Sequence, residues 1–196
     1  RVSLDANDKL ALATENPLDT PFPASSLGSQ LRAVAKTIGS RQAIGAKRQV
    51  YFVGLGGFDT HSNQAQALPG LQQTLSDAMT AFYNATEELG VADQVTTFTA
   101  ADFGRTLTAN GDGTDHGWGG HHFVVGGAVR GGNIYGDIPI AQLGHNQDAG
   151  NGRLIPTASV EQFAAPLGQW FGLNNQELAT ALPRLTNFPN GALGYI

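Results

Sequence analysis

The sequence predicts an α/β protein with a parallel sheet, and three observations lead to that fold class. Residues 49–55 (QVYFVGL) form a nearly continuous apolar run, which is typical of a strand buried on both faces of a parallel sheet. Residues 94–100 (QVTTFTA) form a second run rich in β-forming residues. Between them, apolar residues recur at helical spacing over residues 64–89. A strand, a helix and a strand in this order predict a right-handed crossover between parallel strands.

Capping residues and periodicity place the other elements. Ser25 or Ser26 is the expected N-cap of a first helix, and Gly90 is the expected end of the long central helix. The last long helix should bury Val160, Phe163, Ala164, Leu167 and Trp170. In chain order we expect a helix that begins at residue 25 and ends between residues 39 and 45, further helices at residues 64–89, 159–171 and 175–182, and strands at residues 49–55, 94–100 and 122–126.

Length and composition limit the classes of function. The 196 residues suit one domain, which we place at residues 25–196 after an extended, proline-containing lead-in at residues 1–24. A net charge of -5 without a lysine or arginine run argues against nucleic acid or an anionic membrane as a partner. Cysteine is absent, so a metal site would have to use oxygen and imidazole ligands. Because the chain opens without methionine or a signal-like segment, we expect a processed or truncated piece of a longer protein.

Side chains suited to metal binding follow the two predicted strands of the crossover. The first cluster, GGFDTH, occupies residues 56–61, and the second lies within the glycine-rich residues 101–127. Ligands of parallel α/β sheets bind beyond the carboxyl ends of the strands, so we expect the two clusters to be neighbours. Imidazole with carboxylate favours zinc, manganese or iron, whereas oxygen ligands alone suit calcium or magnesium. The candidate ligands are Asp59, His61, Asp102, Asp115, His116, His121 and His122.

Structural roles compete with these assignments. Asp59 could cap the following helix while His61 is simply hydrogen-bonded. Asp102 could form a structural ion pair with Arg105, or Arg105 could clamp a phosphate, sulfate or carboxylate. Of the neighbouring His121 and His122, one should face the site and the other should pack, because adjacent side chains of an extended segment point to opposite faces.

Three segments of the chain stand out together: GGFDTHSNQ, DFGRT, and DHGWGG with the histidine after it. They resemble the bacterial family known as domain of unknown function 1501 (DUF1501), and the resemblance covers roughly residues 25–190 in order. The remaining matching segments are residues 126–132, 152–157, 169–172 and 185–188.

That family is similar to the alkaline phosphatase and sulfatase superfamily, which implies a three-layer α/β/α sandwich with a mainly parallel central sheet. It also implies a metal centre, with zinc foremost and manganese, iron or calcium as alternatives, and a small anionic ester as substrate. By position, Arg105 would contact that ester, and the metal set would be Asp59, His61, Asp102 and His116 with His121 or His122. Twin-arginine export in the family implies a periplasmic or secreted location.

The resemblance also implies that the sheet is incomplete here, because the first strand and the nucleophile of the superfamily belong to a preceding half of the chain. That N-terminal half is therefore an expected partner. Two functions remain open at this point. One is an exported, metal-dependent hydrolase of phosphate or sulfate esters. The other is a non-catalytic exported protein that keeps the fold and a structural metal and acts in binding or assembly.

Overall fold

The computed structural model describes Asp8, Ala11 and residues 17–196, which form two compact units. The first contains the described residues up to Asp59, with Ala65–Thr97 and Val125–Gly127. The second contains Thr60–Gln64, Phe98–Val124 and Ala128–Ile196. Most of the predicted lead-in lies outside the described residues, and the boundary between residues 24 and 25 stays a prediction.

The first unit is built on two helices that the sequence predicts, α1 (Ser26–Gly39) and α3 (Gln64–Glu88). A one-turn helix, α2 (Arg41–Ile44), follows α1. Ser25 begins α1 because its hydroxyl accepts a hydrogen bond from the Gly28 amide at 3.0 Å, which satisfies one of the unpaired donors of the first turn. Gly90, in the left-handed conformation at φ 65°, follows the end of α3.

Apolar residues spaced three and four apart on α1 and α3 form the core of this unit. Such spacing puts them on one face of each helix, and Leu31 in the middle of α1 is only 4 % exposed. The buried members of this core are Leu27, Leu31, Ala35, Ile38, Ala78, Phe82, Ala85 and Val91.

The strands are short. In the second unit, β2 (Gly104–Ala109) and β3 (Thr114–Gly117) pair as an antiparallel hairpin. Strands β1 (Thr96–Phe98) and β4 (Val124–Gly126) pair with each other in a separate two-stranded sheet. The predicted strands at residues 94–100 and 122–126 are therefore confirmed in shortened form. The prediction of a three-layer α/β/α sandwich with a mainly parallel sheet is wrong, because the described sheets have two short strands each.

The prediction of a parallel sheet fails first at residues 49–55, which form no strand with any of the described residues. Val53 and Leu55 pack on the core, while Val50 is 81 % and Phe52 is 97 % exposed. The side-chain amide of Gln30 bonds both backbone groups of Gly54, at 3.0 Å each, in the place of a neighbouring strand. The apolar pattern predicted a buried strand, but burial on both faces needs neighbours that the described residues do not supply.

The helices of the second unit begin at capping boxes. Ser159 caps α4 (Val160–Phe171), and Asn174 caps α5 (Asn175–Ala181). The predicted buried face of α4 is wrong in part, since Val160 is 72 % exposed and the buried positions are Gln162, Ala165 and Pro166. No helix of the described residues has the length and hydropathy to cross a membrane.

Candidate metal centre

In the second unit, the loop at residues 60–64 is fastened to the turn that joins β2 to β3. The Thr114 amide donates to the Thr60 carbonyl at 3.1 Å, and the Gln64 amide donates to the Asp112 carbonyl at 3.0 Å. Gly113 lies so close that a Cβ there would stand 2.3 Å from the carbonyl carbon of His61. The absence of a side chain at residue 113 therefore allows the turn to fix the backbone of His61.

Two imidazole rings converge at this junction. Nε2 of His61 lies 3.1 Å from Nε2 of His116, and the ring centroids are 5.0 Å apart. The ring of Phe103 stacks on His116 with a centroid distance of 3.7 Å and an interplanar angle of 10°, which limits rotation of that imidazole. Both histidines are exposed, so their nitrogens meet at a point that a solute can reach.

A carboxylate stands on the other side of His61. Oδ1 of Asp115 is 3.4 Å from Nδ1 of His61, and Asn110 donates from Nδ2 to the same oxygen at 2.6 Å. The backbone amide of Asp115 donates to the hydroxyl of Thr106 at 3.1 Å. Asp115 is thus held at the backbone and at the side chain, with its carboxylate toward His61.

Arg105 supplies positive charge close to the histidines. It is the Cα partner of His116 in the β2–β3 ladder. Its Nε donates to the Thr114 hydroxyl at 3.0 Å, its Nη2 donates to the Thr114 carbonyl, and its Cζ lies 5.8 Å from the centre of the Phe103 ring. The hydroxyl of Thr114 in turn donates to Gln64 at 2.7 Å. These contacts hold the guanidinium against the hairpin.

The remaining candidates are Asp59, in the first unit, and Asp102, His121 and His122, in the second. Asp59 is exposed and precedes Thr60, while Asp102 is exposed in the bend before β2. His121 is exposed, and the ring of His122 lies 5.8 Å from that of Phe163. Desolvation by burial, with a smaller effect from the charge of His121, lowers the pKa of His122. Of the predicted set, the second unit brings together His61, His116, Asp115 and Arg105.

The sequence reasoning passed over three side chains that shape the site, Phe103, Asn110 and Thr114. The glycine-rich segment NGDG at residues 110–113 is a turn signal, and a turn there brings Asn110 and Asp115 to opposite sides of one hairpin. That signal could have identified Asn110. The stacking of Phe103 on His116 depends on the hairpin register and has no local signal.

The donor set fits a transition metal. Zinc–imidazole bonds of about 2.0–2.1 Å at tetrahedral angles separate two ligand nitrogens by about 3.3 Å, and the two Nε2 atoms here are 3.1 Å apart. Thr60, which directly precedes His61, is 6 % exposed, and its hydroxyl has no hydrogen-bond partner among the described residues. Unpaired buried hydroxyls are uncommon and call for an explanation such as an unseen ion or water.

Comparisons with known proteins agree with the family resemblance. A family model described as "Protein of unknown function (DUF1501)" matches residues 2–182. Comparison with curated proteins and with solved structures gives no significant match.

Proposed function

The chain belongs to the DUF1501 family, and we propose that it binds a divalent metal ion, zinc foremost, and uses it to hydrolyse phosphate or sulfate esters. The observation that carries this proposal is the approach of the His61 and His116 Nε2 atoms to 3.1 Å at an exposed position. Two imidazoles with a nearby carboxylate and no thiolate are a ligand set suited to zinc, and also to manganese or iron.

Two residues of the second unit would hold the ion, His61 and His116, each through Nε2. The family resemblance leads us to propose the carboxylate of Asp59 as a further ligand. When bound, a divalent ion would act as a Lewis acid toward a phosphoryl or sulfuryl oxygen and lower the pKa of water. The chain itself would orient the histidines through Phe103 and Asp115.

Arg105 is our candidate for recognition of the ester's negative charge. Arg105 lies opposite His116 in the β2–β3 hairpin, and its hydrogen bonds to Thr114 hold the guanidinium in place. A fixed guanidinium beside the ion would lower the free energy of an anionic substrate and of the charge that develops in the transition state. The exposure of His61 and His116 leaves room for a small ester. The family resemblance further leads us to propose a periplasmic or secreted location.

Metal binding and hydrolysis are tested in sequence. Elemental analysis of protein expressed in metal-supplemented medium should give about one equivalent of zinc for the wild type, and aryl phosphate or aryl sulfate hydrolysis should be lost with a chelator. His116→Ala should lose the metal, whereas the matched control His145→Ala should keep it, because the hydrogen bonds of His145 are to Asn146 and to backbone groups in a separate loop. A wild type that retains less than about one tenth of an equivalent of any divalent metal contradicts the proposal.

A second outcome separates the two functions that the sequence left open. A bound metal whose removal changes no hydrolytic rate, but lowers the midpoint of thermal unfolding, would contradict the enzyme. It would support the non-catalytic protein with a structural metal.

A further inference from the structure

We propose that Asp115 is a positioning residue that holds His61 in the Nδ1–H tautomer, so that the lone pair of Nε2 faces His116. This inference rests on the proposed metal site, and it removes Asp115 from the direct ligands. The carboxylate of Asp115 lies 3.4 Å from Nδ1 of His61. The other nitrogen of the same ring, Nε2, contacts His116. A histidine that binds metal through one nitrogen almost always donates the other N–H to a carboxylate, a carbonyl or water.

An irregularity in the hairpin explains how Asp115 and His116 can both serve His61. Successive side chains of a regular strand point to opposite faces. Here Arg105 pairs with His116 and Ala109 pairs with Thr114, so three residues of β2, 106–108, stand opposite the single residue Asp115. Such a bulge redirects side chains and disturbs the ladder. The amide of Asp115 accordingly donates to the Thr106 hydroxyl instead of a ladder carbonyl.

Asn110 completes the arrangement by fixing the carboxylate. Its Nδ2 donates to Oδ1 of Asp115 at 2.6 Å, and Oδ1 is the oxygen that faces His61. A carboxylate can only accept a hydrogen bond, so its position beside Nδ1 favours the tautomer of His61 that carries the proton there, and in that tautomer Nε2 carries none. Without a metal, the short contact between the two Nε2 atoms requires a proton on His116.

The tautomer can be measured without metal. Long-range ¹H–¹⁵N correlation spectra of metal-free protein should show His61 as the Nδ1–H form. Asp115→Ala should convert it to a mixture, and zinc affinity, measured by competition with a chromophoric chelator, should fall about 10- to 100-fold. Asn110→Ala should change the His61 tautomer and the zinc affinity in the same direction as Asp115→Ala, but to a smaller extent. The matched control Asp112→Ala, in the same turn, should leave the His61 tautomer unchanged and zinc affinity within about twofold, because its backbone carbonyl makes the bond to Gln64.

The two proposals fail in different ways. If the wild type binds no metal but His61 is Nδ1–H and responds to Asp115→Ala, the metal site is wrong and the positioning role stands. An Nε2–H form in the wild type, or an unchanged tautomer in Asp115→Ala, overturns the positioning role. If Asp115→Ala does not fold, Asn110→Ala provides the test. An unchanged His61 tautomer in the spectrum of Asn110→Ala equally contradicts the positioning role.

Discussion

The packing of Gly113 against the His61 loop gives the sharpest test of how the hairpin positions the histidine. In Gly113→Ala, the new Cβ would lie 2.3 Å from the carbonyl carbon of His61, 2.4 Å from its oxygen and 2.5 Å from the amide nitrogen of Ser62. Ordinary contact begins at 3.4 Å, so the backbones must separate by about 1.1 Å (3.4 − 2.3). All three contacting atoms are backbone, so no side-chain rotation relieves the overlap.

We expect Gly113→Ala to cost about 1–3 kcal/mol of unfolding free energy, as other overpacking substitutions do. A ligand displaced by about 1 Å also loses its productive geometry, so zinc affinity should fall by at least about tenfold. Urea unfolding followed by circular dichroism gives the first quantity, and chelator competition gives the second.

Gly131→Ala is the matched control, because a Cβ at residue 131 would meet nothing within 4 Å. It should change stability by no more than about 0.5 kcal/mol, as is usual for surface substitutions. Equal stability and equal zinc affinity for Gly113→Ala and Gly131→Ala would refute the reasoning, because the His61 loop would then not be fixed by this contact.

Three further predictions concern the scaffold. Leu31→Ala should lower the unfolding free energy by about 2–5 kcal/mol in urea titrations, because it opens a cavity in the α1–α3 core; a loss below about 1 kcal/mol would contradict that packing. Ser159→Ala should cost about 1 kcal/mol by loss of its capping bond, whereas Ser40→Ala should cost much less, since Ser40 makes no side-chain cap bond; equal losses would contradict the capping assignment. Hydrogen bonds from the Thr20 hydroxyl, and then from the Asp19 and Thr20 amides, lower the pKa of Glu88 below its ordinary 4.5. A depressed carboxyl pKa stabilises the folded state above pH 4.5, and this stability is lost as the pH falls through the folded pKa. Glu88→Gln should therefore make the unfolding free energy fall less steeply in acid. Thr20→Val should raise the Glu88 pKa measured by NMR. A pKa of Glu88 unchanged by Thr20→Val would contradict the assigned cause.

Helices were predicted well because their signals are local. Ser25, the apolar spacing of α1 and α3, and Gly90 each act within one or two turns, and the structure begins and ends the helices there. The sheet was predicted poorly because strand pairing depends on distant residues. Residues 49–55 have the composition of a buried strand, yet Phe52 is 97 % exposed and the segment pairs with no strand in the part of the chain that the structure describes.

The candidate site shows the same division. The sequence identified His61, His116, Asp115 and Arg105 from their chemistry, and the structure brings them together in the second unit. The expected reason, two parallel strands ending at one edge, was wrong. The hairpin places them instead, through the bonds of Thr114 to Thr60 and of Gln64 to Asp112.

The sequence by itself determined the helices, the absence of thiolate ligands and the residue types that can bind a metal, because these follow from composition and short-range spacing. Only the tertiary structure decided that the two Nε2 atoms lie 3.1 Å apart and that Asp115 stands behind His61. Those distances depend on the bulged register of β2 and β3 and on contacts between residues about fifty positions apart. Chain closure over such a separation costs conformational entropy that only packing and hydrogen bonding can offset, so no local pattern encodes it.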